Sequence, residues 1–201
     1  MFKYLFALCG ILFCIPVNAQ RPQIENNADE IRAFLQYVDT AEARKECGNC
    51  DTITLIKEAL AEVSSPHKYT AATYRIPKYT RIFFPETVSG EVSFSKSERA
   101  MILKWLYAKH SIDWTPALVG NARLINRVEV DSLMHDQNKL LNAFPNGIFE
   151  FSQPLFLRNN TICLFYWGHS CFIACGYGHT RVYIKTASGW WPLATIFSWE
   201  G

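Results

Sequence analysis

Most of the short patterns that announce a reaction are missing from this chain. It has no Gly-x-Ser-x-Gly elbow, no His-Glu-x-x-His and no glycine-rich phosphate loop. Its histidines (His67, His110, His135, His169 and His179) stand in unrelated settings, so no Ser–His–acid set can be picked out, and neither can a carboxylate pair for glycoside cleavage. A dominant charge is missing too. Twenty Lys and Arg face eighteen Asp and Glu, with no run of like sign, so nothing points to nucleic acid or an anionic membrane. Internal repeats and low-complexity tracts are absent. Aromatics, in contrast, make up 14% of the residues, enough to bury a core.

The N-terminus reads as a targeting segment. Lys3 supplies a positive start, Tyr4 to Val17 an apolar run, and Val17-Asn18-Ala19 the small residues of a cleavage site. The run is too short, and too close to Pro16, to span a bilayer. Cys9 follows Leu8 and Cys14 follows Phe13, so neither has the small preceding residue of a bacterial lipid anchor. The expected organisation is a signal peptide over 1–19, a helical hairpin extension over 20–66 and an α+β domain over 67–201. The expected location is exported, either periplasmic or secreted, with no stable membrane anchor after cleavage.

An exported chain meets oxidising conditions. Beyond residue 19 stand Cys47, Cys50, Cys163, Cys171 and Cys175, an odd number. The pairs closest in sequence, Cys47–Cys50 and Cys171–Cys175, are the expected disulfides. Cys163 lies in the apolar run Thr161–Trp167, where a buried thiol acts as a small hydrophobe.

Ile31, Phe34, Leu35 and Val38 recur at helical spacing behind Asn27 or Asp29 as cap and predict a helix that fades near Lys45. Cys47-Gly-Asn-Cys50 is a turn. Ile53, Ile56, Leu60 and Val63 predict a second helix from Asp51, stopped at Ser64-Ser65-Pro66. Short strands are expected at 81–84 and 91–94. Ser95 and Glu98 form a capping box ahead of a helix with Ile102, Trp105, Leu106 and Lys109 in register. Residues 117–130 are ambiguous, and a short helix is expected over 131–144. Aromatic, β-branched runs then predict four strands at 148–151, 161–167, 180–186 and 190–197, joined by turns at Arg158-Asn159-Asn160 and Ala187-Ser188-Gly189. The expected fold class is α+β, with N-terminal helices followed by a C-terminal four-stranded antiparallel sheet carrying a disulfide-stapled loop.

Two clusters could carry chemistry. His169-x-Cys171-x3-Cys175-x3-His179 offers four tetrahedral zinc donors, but ligation needs reduced, deprotonated cysteines and export works against that. The disulfide is the favoured reading, with no metal and no cofactor. Cys47-Gly-Asn-Cys50 is similar in spacing to redox dithiols, but a redox role needs a preceding buried strand, and residues 30–45 read as helix. A candidate aromatic binding face comprises Trp167, Tyr177, Trp190 and Trp191, with Trp199 nearby. Trp190 and Trp191, if on a strand, must point to opposite faces.

The block Pro154–Trp167, followed by Cys171-x3-Cys175-Gly-x-Gly178, Lys185 and Ser188-Gly-Trp190, resembles a group of exported bacterial proteins of unknown function. The likeness covers about the last fifty residues and, more weakly, the helix from Ser95 to His110. It departs at Phe172, where that group usually has glycine. The resemblance implies a bacterial envelope or secreted setting and no particular activity. The reading that results is a non-enzymatic exported domain that binds an envelope or extracellular ligand or serves a structural role there. Its rival is an envelope enzyme, a hydrolase or a thiol–disulfide protein.

Overall fold

A computed structural model describes residues 27–59, 73–75, 91–107, 112–172 and 175–201. The segment expected to be a signal peptide, the strand expected at 81–84 and Leu60, Val63 and Lys109 lie outside these residues.

The first helix, α1 (Ala28–Val38), buries Ile31, Phe34, Leu35 and Val38 as one stripe. Asp29 and Glu30 sit in its first turn, at the positive end of its dipole. The helix then widens into a π-turn, π1 (Asp39–Ala43), and closes with one further turn, α2 (Arg44–Glu46). Gly48 and Asn49 terminate it in left-handed conformations, φ +74° and +63°. The Asn49 N–H bonds the Arg44 carbonyl at 2.7 Å and the Gly48 N–H bonds that of Lys45 at 3.2 Å. This is the Schellman arrangement that satisfies orphan carbonyls at a helix end.

No second helix starts at Asp51 among the described residues. Residues 54–56 form strand β1 (Thr54–Ile56) instead, with Leu55 and Ile56 buried. The apolar spacing of Ile53 and Ile56 fits a helix, but the run Thr52-Ile53-Thr54 is β-branched and the flanking strands claim it. The helical hairpin over 20–66 is therefore corrected: β1 lies inside the main sheet, and α1 packs on that sheet's face.

The small strands β2 (Thr73–Arg75) and β3 (Glu91–Ser93) pair antiparallel. Helix α3 (Lys96–Tyr107) follows, opened by the expected capping box: the Ser95 N–H donates to Glu98 Oε2 at 2.7 Å and the Glu98 N–H to Ser95 Oγ at 3.2 Å. Next come α4 (Pro116–Val119), β4 (Arg123–Ile125), α5 (Arg127–Leu133) and α6 (Gln137–Ala143). The single helix expected over 131–144 is thus two. Asp136 separates them and caps the second, accepting from the Lys139 N–H at 3.1 Å.

The remaining strands are β5 (Ile148–Phe151), β6 (Leu155–Leu157), β7 (Ile162–Ser170), β8 (Gly176–Thr186) and β9 (Gly189–Glu200). The four expected strands are present and pair antiparallel, but they belong to a mixed seven-stranded sheet ordered β4-β1-β5-β7-β8-β9, with β6 also on β7. β1 runs parallel to both β4 and β5. β5 and β6 share one edge of β7, end to end. Between them the Ser152 N–H donates to the Tyr166 carbonyl at 3.0 Å, and its Oγ accepts from the Tyr166 N–H at 2.9 Å.

The sheet is covered on both faces. Odd residues of β7 (Cys163, Phe165, Trp167) join Phe149, Phe151, Tyr183 and Trp190 beneath α1. Even residues (Ile162, Leu164, Tyr166) join Val182 and Leu193 beneath Ile102, Trp105 and Leu106 of α3. Two-sided burial explains why β7 reads as a continuous apolar run rather than an alternation. Phe34 on α1 is the main knob of the first core. Its ring meets those of Phe165, Tyr183 and Trp190 edge to face at 5.1–5.2 Å. A third core (Ile56, Ile125, Val130, Leu140, Phe144, Ile148) lies under α5 and α6. Among the described residues no helix is long and apolar enough to cross a membrane.

Candidate functional site

The π-turn does two things at once. On its inner side it delivers Glu42 into the first core, 8% exposed. Oε2 of Glu42 receives the Trp167 indole N–H at 2.7 Å and the Tyr183 hydroxyl at 2.9 Å, and lies 3.1 Å from Nη1 of Arg181. Oε1 is buried with no partner. Burial pushes the Glu42 carboxyl above the usual range, while Arg181 and the two donors oppose that shift. Burial and the Glu42 charge likewise push the Tyr183 and Tyr37 hydroxyls up. The carboxylate thus pins the widened turn to β7 and β8, sealed from solvent.

Beyond Arg181 the same sheet face carries His179, Tyr177 and His169. The His179 ring lies 5.5 Å from those of Trp167 and Tyr177. Burial and the Arg181 charge push its pKa down to about 4, so it is neutral at physiological pH. Burial and nearby Glu46 push the Tyr177 hydroxyl up. His169 stacks on Phe149 at 4.3 Å and donates from Nε2 to the Asn146 carbonyl at 2.9 Å. Among the described residues no three His, Cys, Asp or Glu side chains come together as a metal site.

On its outer side the π-turn lines a groove of about 330 Å³ between the α1–α2 rod and the α4–β4 turn. Arg32, Gln36, Asp39, Thr40 and Arg44 form one wall; Ala117, Leu118, Val119, Gly120 and Asn121 form the other. Oδ2 of Asp39 accepts from Nε and Nη2 of Arg44 at 3.0 and 2.8 Å, which holds the Arg44 pKa above its ordinary value. The five-residue separation of this pair suits a π-turn, whose backbone hydrogen bonds join residues five apart. Arg32 donates from Nε to the Ala117 carbonyl at 2.8 Å and from Nη1 to Asp29 at 2.9 Å, bridging the two walls.

Both expected cysteine pairs lie at disulfide distance, with Cα–Cα separations of 5.6 Å for Cys47–Cys50 and 5.4 Å for Cys171–Cys175. Cys163 is free and buried, and burial pushes its thiol well up. Cys47 sits at the C-terminal end of a helical turn, the negative end of the dipole, which disfavours a reactive thiolate there. The candidate aromatic face is corrected. Trp167 (0% exposed) and Trp190 (4%) are core residues, and only Tyr177 and Trp191 are partly exposed. Trp190 and Trp191 do point to opposite faces: Trp190 packs on Phe34, while Trp191 lies opposite Ile184, which packs on the second core.

Sequence reasoning missed Glu42, Arg181 and the groove. Periodicity could not find Glu42 or the groove, because a π-turn breaks the 3.6-residue repeat where Asp39, Glu42 and Arg44 lie, and Arg181 on β8 meets Glu42 only through the fold. The one signal was a run of polar residues interrupting the apolar stripe after Val38. No protein-family model, no curated protein and no solved structure matches this chain.

Proposed function

We propose that this chain is an exported, non-enzymatic binding domain whose ligand occupies the groove between the α1–α2 rod and the α4–β4 turn. The observation that carries this reading is the make-up of that groove. Its polar side chains include two cations held at fixed positions, and among the described residues no cysteine, serine or histidine lines it. The Thr40 hydroxyl donates to the Gln36 carbonyl at 2.8 Å, and Asp39 is engaged by Arg44, so neither serves as a free nucleophile or base. Glu42, Tyr183 and His179, whose pKa values burial shifts, lie outside the groove lining, and the shift at Arg44 within it only keeps that side chain charged. A thiol–disulfide role is disfavoured by the place of Cys47 at a helix C-terminus.

Export rests on the targeting pattern at 1–19 and on the two cysteine pairs at bonding distance. Cell fractionation with intact mass tests it: a protein confined to the cytoplasm overturns export, and an envelope form that retains residues 1–19 overturns cleavage after Ala19. A thermal-shift screen tests the groove. The wild type is expected to be stabilised by one or more small polar compounds, and Thr40→Trp, which fills the groove from an exposed position, is expected to lose that response. Stabilisation that survives Thr40→Trp, or none across the screen, overturns the reading.

A further inference from the structure

We propose that the groove takes a short peptide by its free C-terminal carboxylate, with Arg44 as the carboxylate-binding residue. This rests on the groove being a binding site, and names its ligand class.

A guanidinium offers two forks, one side-on through Nε and one Nη, the other end-on through both Nη nitrogens. Asp39 occupies the side-on fork of Arg44, with both bonds converging on Oδ2. In the end-on fork Nη2 gives one hydrogen to Asp39 and keeps its second, Nη1 has no partner among the described residues, and the Arg44 side chain remains 27% exposed in the groove it lines. Asp39 is 14% exposed and its Oδ1 is buried. It therefore acts as an anchor for Arg44 rather than as a ligand contact. An anchored guanidinium loses less side-chain freedom on binding, and its end-on fork matches one carboxylate with two parallel hydrogen bonds.

The rest of the groove selects what carries that carboxylate. Gln36 and Asn121 each present an amide, one donor group and one acceptor, complementary to a peptide unit. Ala117, Leu118 and Val119 offer an apolar wall for a small side chain. Among the described residues no aromatic ring lines the groove to offer a stacking platform for a sugar ring. Of the two cations in the lining, Arg32 is paired with Asp29 and is itself half exposed, whereas Arg44, anchored by Asp39 and within the field of Asp51, is the one that keeps donors turned to the groove. The volume lies at the low end for small-molecule sites, about 300–1,000 Å³, so the peptide is short.

Isothermal titration of the full chain with acetyl-trialanine free acid, its C-terminal amide, trigalacturonate and inorganic phosphate tests the assignment. The free acid is expected to bind at least about tenfold more tightly than the other three probes. Arg44→Gln is expected to lose about tenfold in affinity for the acid, while Arg127→Gln, on α5 outside the groove, leaves it unchanged. If Arg44→Gln does not fold, the comparison of acid with amide still decides. Equal binding of acid and amide, preference for trigalacturonate or phosphate, or wild-type affinity in Arg44→Gln overturns the proposal. If the acid does not bind at about 10 mM while other compounds stabilise the wild type and not Thr40→Trp, the peptide assignment fails and the groove reading stands. If nothing stabilises the wild type, both fail.

Discussion

The indole of Trp199 lies across Gly178 and donates its N–H to the Tyr166 hydroxyl, 3.1 Å away, tying β9 to β7 over the strand between them. A Cβ built on Gly178 would meet the Trp199 indole nitrogen and sit 2.6 Å from the Tyr166 hydroxyl oxygen. On Gly168 it would meet that same oxygen at 2.5 Å. The glycines around the Cys175-Gly-x-Gly178 segment are thus packing requirements, which removes one reason to look for chemistry there. Gly178→Ala is expected to cost about 1–3 kcal/mol by overpacking. Urea unfolding measures the loss, and Trp199→Ala in the same background should recover part of it. A Gly178→Ala protein as stable as the wild type would show that the indole does not cover this glycine.

Glu42 gives a second prediction. Glu42→Gln keeps an acceptor for Trp167 and Tyr183 but leaves the Arg181 cation without its counter-charge. Removing one partner of a largely buried pair is expected to cost about 3 kcal/mol. Arg181→Met combined with Glu42→Gln should be more stable than Glu42→Gln alone, since the stranded charge is gone. Chemical denaturation of the four proteins gives the coupling energy, and strictly additive losses would mean that the two groups do not act as an ion pair.

A third prediction concerns pH. The His179 pKa is pushed down to about 4 from an ordinary value of 6.5. Between those values the unfolded chain binds more protons at this site than the folded one, so stability rises with pH there. The His179 contribution is fully present above about pH 6.5 and is lost as pH falls through about 4. Glu98 acts in a lower window. Its bonds with Arg158 hold its carboxyl down at about 2, so its contribution is present above about 4.5 and is lost as pH falls towards 2. His179→Gln should flatten the stability profile between pH 6.5 and 4 and leave the part below 4 unchanged. An unaltered slope between 6.5 and 4 would assign that dependence to another group.

How much of this was legible in the sequence depended on the range of the interactions involved. The strands β5, β7, β8 and β9 were readable because short turns join β7 to β8 to β9 and their aromatic runs are long. The capping box at Ser95 and Glu98 was readable because both partners lie within one helical turn. The parallel strands β1 and β4 were not. Each has three residues, too few for a period to register, and their pairing joins Thr54 to Arg123 across most of the domain. Ile53 and Ile56 fit a helix as well as a strand, and only their distant partners decided between them. Trp167 could not be placed by alternation because β7 has no exposed face. The groove was hidden for a different reason: Asp39 and Arg44 meet only because the helix takes a π-turn between them.

The last prediction separates backbone strain from packing at Phe172. This residue follows the first cysteine of the stapled loop and sits at φ +65°, in the left-handed region that a side chain with a Cβ disfavours by about 1–2 kcal/mol. Its ring lies 6.3 Å from that of Phe144 and packs on the third core, which offsets part of that cost. Glycine is the residue such a conformation favours. Phe172→Ala discards the ring and keeps the strain, whereas Phe172→Gly discards both. In most contexts alanine is the more stabilising of the two, because glycine leaves the unfolded chain freer by roughly 0.5–1 kcal/mol. Here the order should reverse, with Phe172→Gly about 1 kcal/mol more stable than Phe172→Ala. Paired urea titrations under oxidising conditions, with the Cys171–Cys175 bridge intact, make the comparison. Phe172→Ala equal to or more stable than Phe172→Gly would show that the loop does not hold this residue in a left-handed conformation.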